Sequence, residues 1–132
     1  MGRGQFPGFG VEGRLAARGF ERLVAALRAG IAKQSGHTGS QAEDVMIATI
    51  RAYVGFARRE PELFRLMFGW MPSRDVPELC EAGDAAFEAF EAIVQGCEDE
   101  GLLRRSVSES GLLAWSAVHG AAFLLIDGRL KL

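Results

Sequence analysis

Trp115-Ser116-Ala117-Val118-His119-Gly120-Ala121-Ala122-Phe123-Leu124-Leu125-Ile126-Asp127-Gly128-Arg129 is the stretch whose periodicity decides the fold. Trp115, His119 and Phe123 recur every four residues, so on an α-helix they share one face. Gly128 follows the apolar run where a helix C-terminus wants a glycine. The spacing predicts a helix from about Ser108, whose hydroxyl serves as its cap, to Ile126. Gly120 in its middle costs about 1 kcal/mol relative to alanine. The close approach of another helix or of a bound molecule is the simplest offset. Ala117, Gly120, Ala121 and Leu124 form a surface of mostly small side chains beside the large one.

The same period runs upstream. A long fourth helix is expected from a cap at Asp75 to Glu100, ended by Gly101. Glu78, Glu81, Asp84, Glu88 and Glu91 line one side of it and Leu79, Phe87, Phe90, Ile93 and Cys97 another. Ala82, Ala86 and Ala89 are interleaved, so this helix also offers a small-residue surface. Two such helices can pack against a symmetric copy as a four-helix bundle. On this reading Ala82, Ala86, Ala89, Ile93, Ala117, Gly120, Ala121 and Leu124 form a dimer interface. A short third helix begins at Pro61, whose missing N–H is no loss in a first turn, and Pro72 bounds it. A second helix runs from a Ser40 cap, with Glu43 three residues on, to Arg59. Its apolar set covers more than half its circumference, which makes it central. The first helix, Arg14 to Gln34, carries Leu15, Ala16, Phe20, Leu23, Val24, Leu27 and Ile31 as one stripe. Residues 1–13 hold five glycines and read as a flexible tail before one helical domain, 14–132. No alternating β-branched stretch exists. The expected class is all-α with five helices.

At 132 residues and 48% hydrophobic composition the chain can bury a core as one domain. Its longest uninterrupted apolar run, Ala121–Ile126, is far short of the roughly 20 residues of a membrane span. No basic-then-apolar leader opens the chain, so the expected location is cytoplasmic, with Cys80 and Cys97 reduced. The net charge of -2 speaks against direct nucleic-acid binding, which needs a basic face. Charge is nonetheless uneven: the first helix carries Arg14, Arg18, Arg22, Arg28 and Lys33, and the fourth is acidic.

Catalytic chemistry finds little support. There are two histidines, His37 and His119, and no HExxH, Cys-x-x-Cys or phosphate-cradling glycine loop. Ser116, His119 and Asp127 fall on one helix and cannot converge as nucleophile, base and orienter. The acidic row lacks the histidine steps of carboxylate-bridged metal bundles. No cofactor and no metal site is expected. Aromatic residues and methionines cluster instead in mid-chain, where a short proline-bounded helix makes a good pocket wall. Tyr53, Phe56, Phe64, Met67, Phe68, Trp115, His119 and Phe123 are the candidate ligand-binding residues, apolar walls with Tyr53 and His119 as orienting polar groups.

Three strings together resemble one family: Tyr53-Val54-Gly55-Phe56-Ala57, Glu60-Pro61-Glu62-Leu63-Phe64-Arg65-Leu66-Met67-Phe68, and the segment from Trp115 to Arg129 with Val118-His119-Gly120. In order and spacing they are similar to the C-terminal domain of TetR-type transcriptional regulators, in the subgroup named for its Trp-His-Gly signature. The resemblance covers roughly Arg14 to Leu130. It implies a regulatory domain that dimerises through its last two long helices and holds a small apolar effector. It also implies DNA contact through an N-terminal helix-turn-helix domain, for which residues 1–13 offer no candidate. The alternative from another class is a helical homodimeric interaction protein without a small-molecule site.

Overall fold

The computed structural model describes residues 7–34, 39–69 and 76–131. They form α1 (Pro7–Lys33), α2 (Gln41–Arg59), α3 (Pro61–Met67), α4 (Pro77–Asp99) and α5 (Val107–Ile126). The described residues contain no strand, so the expected all-α class and helix order hold.

Helix ends follow local capping chemistry. Ser40 Oγ accepts the Glu43 N–H at 3.2 Å, and Pro61 and Pro77 occupy the first turns of α3 and α4. The cap of α5 is Ser106 rather than Ser108: its Oγ accepts the Glu109 N–H at 3.1 Å and donates to the Glu109 carboxylate at 3.2 Å. Ser106 and Glu109 thus occupy the capping-box positions, and Ser108 falls inside the first turn. Gly101 and Gly128 stand just beyond α4 and α5 with φ of 71° and 75°, the left-handed conformation that favours glycine. One further cap is not local. Glu100, at the end of α4, accepts from Ser40 Oγ at 2.7 Å and from the Ala42 N–H at 2.9 Å, so one carboxylate serves the N-terminus of another helix. Asp75, His37, Trp70, Met71 and Pro72 lie outside the described residues.

The expected loose tail requires correction. α1 begins at Pro7, so residues 7–13 are helix. Glycine is required there by packing, since a Cβ on buried Gly13 would stand 2.7 Å from Val76 Cγ1. One turn and a half further on, a Cβ on Gly19 would meet Met67 Sδ at 2.6 Å. The glycines therefore mark where α4 and α3 approach α1, and the benefit of close packing offsets their cost in helix propensity.

The interior is built from Ala16, Phe20, Leu23 and Leu27 of α1, Tyr53, Phe56 and Ala57 of α2, Phe64 and Met67 of α3, Leu79 of α4, and Val118 and Ala122 of α5. Each fully buried Leu or Phe contributes about 1.5–3 kcal/mol. α2 packs against all four other helices, which makes it central as expected. It nevertheless leaves Ile47 and Ile50 exposed, at 37% and 41%.

α5 is unlike the other helices. Among the described residues it is the helix long and apolar enough to cross a membrane by length and composition, although no uninterrupted run reaches that length. Its inward face, with Gly111, Val118 and Ala122 buried, is fixed by packing, and Leu113 and Leu124 are left 56% and 48% exposed. Among the described residues, nothing beyond its own helix backbone and its chain neighbours comes within 4 Å of where a Cβ on Gly120 would stand. Among the described residues, no neighbouring helix therefore supplies the close approach expected to offset that glycine.

Two glycine substitutions separate these roles. Gly96, inside α4, meets nothing within 4 Å, so Gly96→Ala is expected to raise stability by about 0.5–1 kcal/mol. Gly13→Ala is expected to lower it by about 1–3 kcal/mol through overpacking against Val76. Urea unfolding monitored by circular dichroism reads both.

Candidate functional site

One phenolic oxygen organises the centre of the fold. Tyr53, on the buried side of α2 and 2% exposed, places its hydroxyl between two residues of α5. Trp115 Nε1 lies 3.0 Å away and can only donate to it. His119 Nδ1 lies 2.7 Å away. The hydroxyl thus accepts from the indole and shares a second hydrogen bond with Nδ1, whose direction follows the imidazole tautomer. Burial favours the neutral imidazole: desolvation lowers the His119 pKa below 6.5. Burial likewise pushes the Tyr53 pKa well up, only partly opposed by the hydrogen bond from Trp115.

Aromatic rings surround the trio. Phe68, Phe123 and Phe64 stand with their centroids 4.2, 4.9 and 5.4 Å from the His119 ring. Phe20 of α1 meets Phe68 at 5.1 Å, and Phe87 of α4 meets Trp115 at 5.6 Å. All five helices thus send side chains to this cluster. Of the candidate binding residues, Tyr53, Phe64, Phe68, Trp115, His119 and Phe123 are brought together here, while Phe56 and Met67 are core residues of the same interior.

A small cavity of about 20 Å³ adjoins the cluster, walled by Tyr53, Phe68 and Trp115 together with Phe20, Leu23, Leu27, Gly83, Ala86, Phe87 and Phe90. Its size is about that of one water molecule. The α1 and α4 parts of this wall were not anticipated, since each stripe read alone as ordinary core. Gly83 facing Phe20 at 4.0 Å was the signal available, a small residue opposite a large one.

The expected dimer residues divide. Ala82 and Ala86 pack against the interior, and Ala86 lines the cavity. Ala89 and Ile93 are half-buried on α4. Ala117, Gly120, Ala121 and Leu124 lie on or beside the uncovered side of α5, with Ala117 and Leu124 exposed. Leu113, also exposed, extends that side.

Other polar groups serve structure. Arg65 of α3 donates to the Ile126 carbonyl at 3.1 Å and to the Asp127 carboxylate at 3.0 Å, pinning the end of α5. Arg22 pairs with Glu60. Burial first, then Glu100 and Glu43, push the Cys97 thiol pKa up, which disfavours the nucleophilic thiolate. No group of three or more potential metal ligands occurs among the described residues. The basic side of α1 and the acidic side of α4 border an open groove of about 710 Å³.

A family model described as "Tetracyclin repressor-like, C-terminal domain" matches residues 46–132, more than half of the chain and all of α3, α4 and α5. The chain belongs to that family. Within that family's fold, the Trp115–Tyr53–His119 hydrogen bonds join the second helix to the last. Among solved structures, a protein of unknown function from Rhodococcus sp. RHA1 superposes with a TM-score of 0.74 at 30% identity, over 90% of this chain and 60% of that one. The tetracyclin repressor-like chain therefore spans 60% of the length of that protein. A search of curated proteins finds no match.

Two measurements test the site. Tyr53→Phe leaves the Trp115 N–H and His119 Nδ1 without a partner and is expected to cost about 1–3 kcal/mol of stability, read as a lowered thermal midpoint. His119 also sets a pH dependence. Its folded pKa lies below the unfolded value of 6.5, so on acidification the unfolded chain takes up this proton first. The contribution is complete above about pH 6.5 and declines as pH falls from there toward the folded pKa. Melting curves of wild type and His119→Gln from pH 8 to 5 are expected to diverge below that point, wild type losing more.

Proposed function

We propose that this chain is the ligand-sensing and dimerising module of a cytoplasmic transcriptional regulator, taking a small apolar effector. DNA contact, in this reading, is made through a helix-turn-helix domain outside these 132 residues. The observation that carries it is the joining of two features on α5: the polar Tyr53–His119–Trp115 cluster beside an apolar cavity, and an uncovered apolar surface on its outer side. An effector entering beside Tyr53 and Trp115 parts α4 from α1, because Gly83, Ala86, Phe87 and Phe90 form one wall and Phe20, Leu23 and Leu27 another. α4 and α5 pack together, so the displacement reaches the surface on which a second copy docks. Binding energy is thereby converted into a shift between two states of the pair.

A second reading, a homodimeric interaction protein with no small-molecule site, is favoured by the size of that cavity, about 20 Å³. A thermal-shift panel of apolar and aromatic compounds decides between the two. The sensing reading expects at least one compound to raise the midpoint, and expects Trp115→Ala to abolish the shift; a flat response across the panel supports the second reading. Sedimentation tests the property both share: wild type is expected to be a dimer and Leu113→Arg a monomer.

A further inference from the structure

We infer that the groove between α1 and α4 binds a small zwitterion with an apolar body, of the type of an α-amino acid with a large apolar side chain. This site is separate from the cavity beside Tyr53, and Phe20 is the one residue that lines both. The groove has a volume of about 710 Å³, within the roughly 300–1,000 Å³ of small-molecule sites. The cavity, at about 20 Å³, has no such room.

The charges of the groove are set by the register of its two helices. Gly13 meets Val76 and, seven residues further along both helices, Phe20 meets Gly83. α1 and α4 therefore run parallel in a constant register, with Arg18 level with Glu81 and Arg14 close to the level of Glu78. The floor between these rims is apolar, made by Ala17, Phe20, Val24, Ala82 and Ala85. Glu21 and Arg28 add one charge of each sign on α1, so the lining is neutral in sum. Among the described residues none of these six charged groups is ion-paired.

Opposite charges thus face each other across the groove without joining. A simple anion drawn to Arg14 and Arg18 is repelled by Glu78 and Glu81, and a simple cation meets the converse. A head that carries both charges satisfies both rims, its carboxylate on Arg18 and its ammonium on Glu81, through charge-assisted hydrogen bonds. The apolar body then lies over Phe20 and Val24. Phe20 stands edge-on to Phe68 at 5.1 Å, and Phe68 stands 4.2 Å from His119. An occupant resting on Phe20 is therefore linked to the aromatic cluster through one ring, without entering it.

The test is calorimetric titration of the full chain at about pH 6.5, where an α-amino group is charged. L-Tryptophan carries both charges, its N-acetyl derivative only the negative one, its methyl ester only the positive one, and indole neither. L-Tryptophan is expected to bind more tightly than each of the other three by about tenfold or more. Arg18→Glu makes both rims acidic and is expected to turn the preference to the methyl ester; Glu81→Arg is expected to turn it to the N-acetyl derivative. The double exchange is expected to restore L-tryptophan, since the head can turn round. Trp115→Ala, which does not touch the groove, is expected to leave this binding unchanged. Circular dichroism melts confirm that each variant is folded. Indole binding as tightly as L-tryptophan, a preference that survives both charge reversals, or no binding of L-tryptophan overturns the inference. A Trp115-dependent response to apolar compounds in that event leaves the sensing reading intact.

Discussion

The Tyr53 hydroxyl is the point to which the other helices are referred. It accepts a hydrogen bond from Trp115 of α5 and shares another with His119 a single turn along, and the two bonds fix both the distance and the axial register between α2 and α5. α3 follows α2 with only Glu60 between, and its Phe64 and Phe68 close over the imidazole. α4 reaches the cluster through Phe87 on Trp115. A buried polar group left unpaired costs more than a made bond returns. The trio therefore selects one packing of the helices from the many that apolar contacts alone would allow.

The structure also spends its glycines in two opposite ways. Gly13 and Gly19 lie under Val76 and Met67 and let α1 sit close to its neighbours. Gly96 and Gly120 face open space within the chain. Those of the first kind hold the monomer together; Gly120, on the uncovered side of α5, leaves room for something else.

Local rules made much of this legible in advance. The α2 cap at Ser40, the start of α3 at Pro61 and the stop at Gly128 each depend on a few adjacent residues, and the shared face of Trp115, His119 and Phe123 depends only on helical period. Ser106 and Ser108 both offer a hydroxyl near the start of α5, and only the match of Ser106 to the Glu109 N–H and carboxylate distinguishes them. Gly13 reads as part of a tail because the contact that compensates it is with Val76, more than sixty residues away. Tyr53 and His119 were recognised as the polar groups of the centre, but their bond depends on the register of α2 against α5, which no stripe encodes by itself. Alanine is similarly silent: Ala82 and Ala86 face inward, while Ala117 faces out.

Glu100 has a mechanical meaning beyond capping. Its two oxygens hold Ser40 and Ala42 at the start of α2, so α4 cannot slide along its own axis without uncapping its neighbour. The other end of α4 is held as well, by Val76 against Gly13 and by buried Leu79, so the helix is fixed at both ends and spans the aromatic cluster between two anchors.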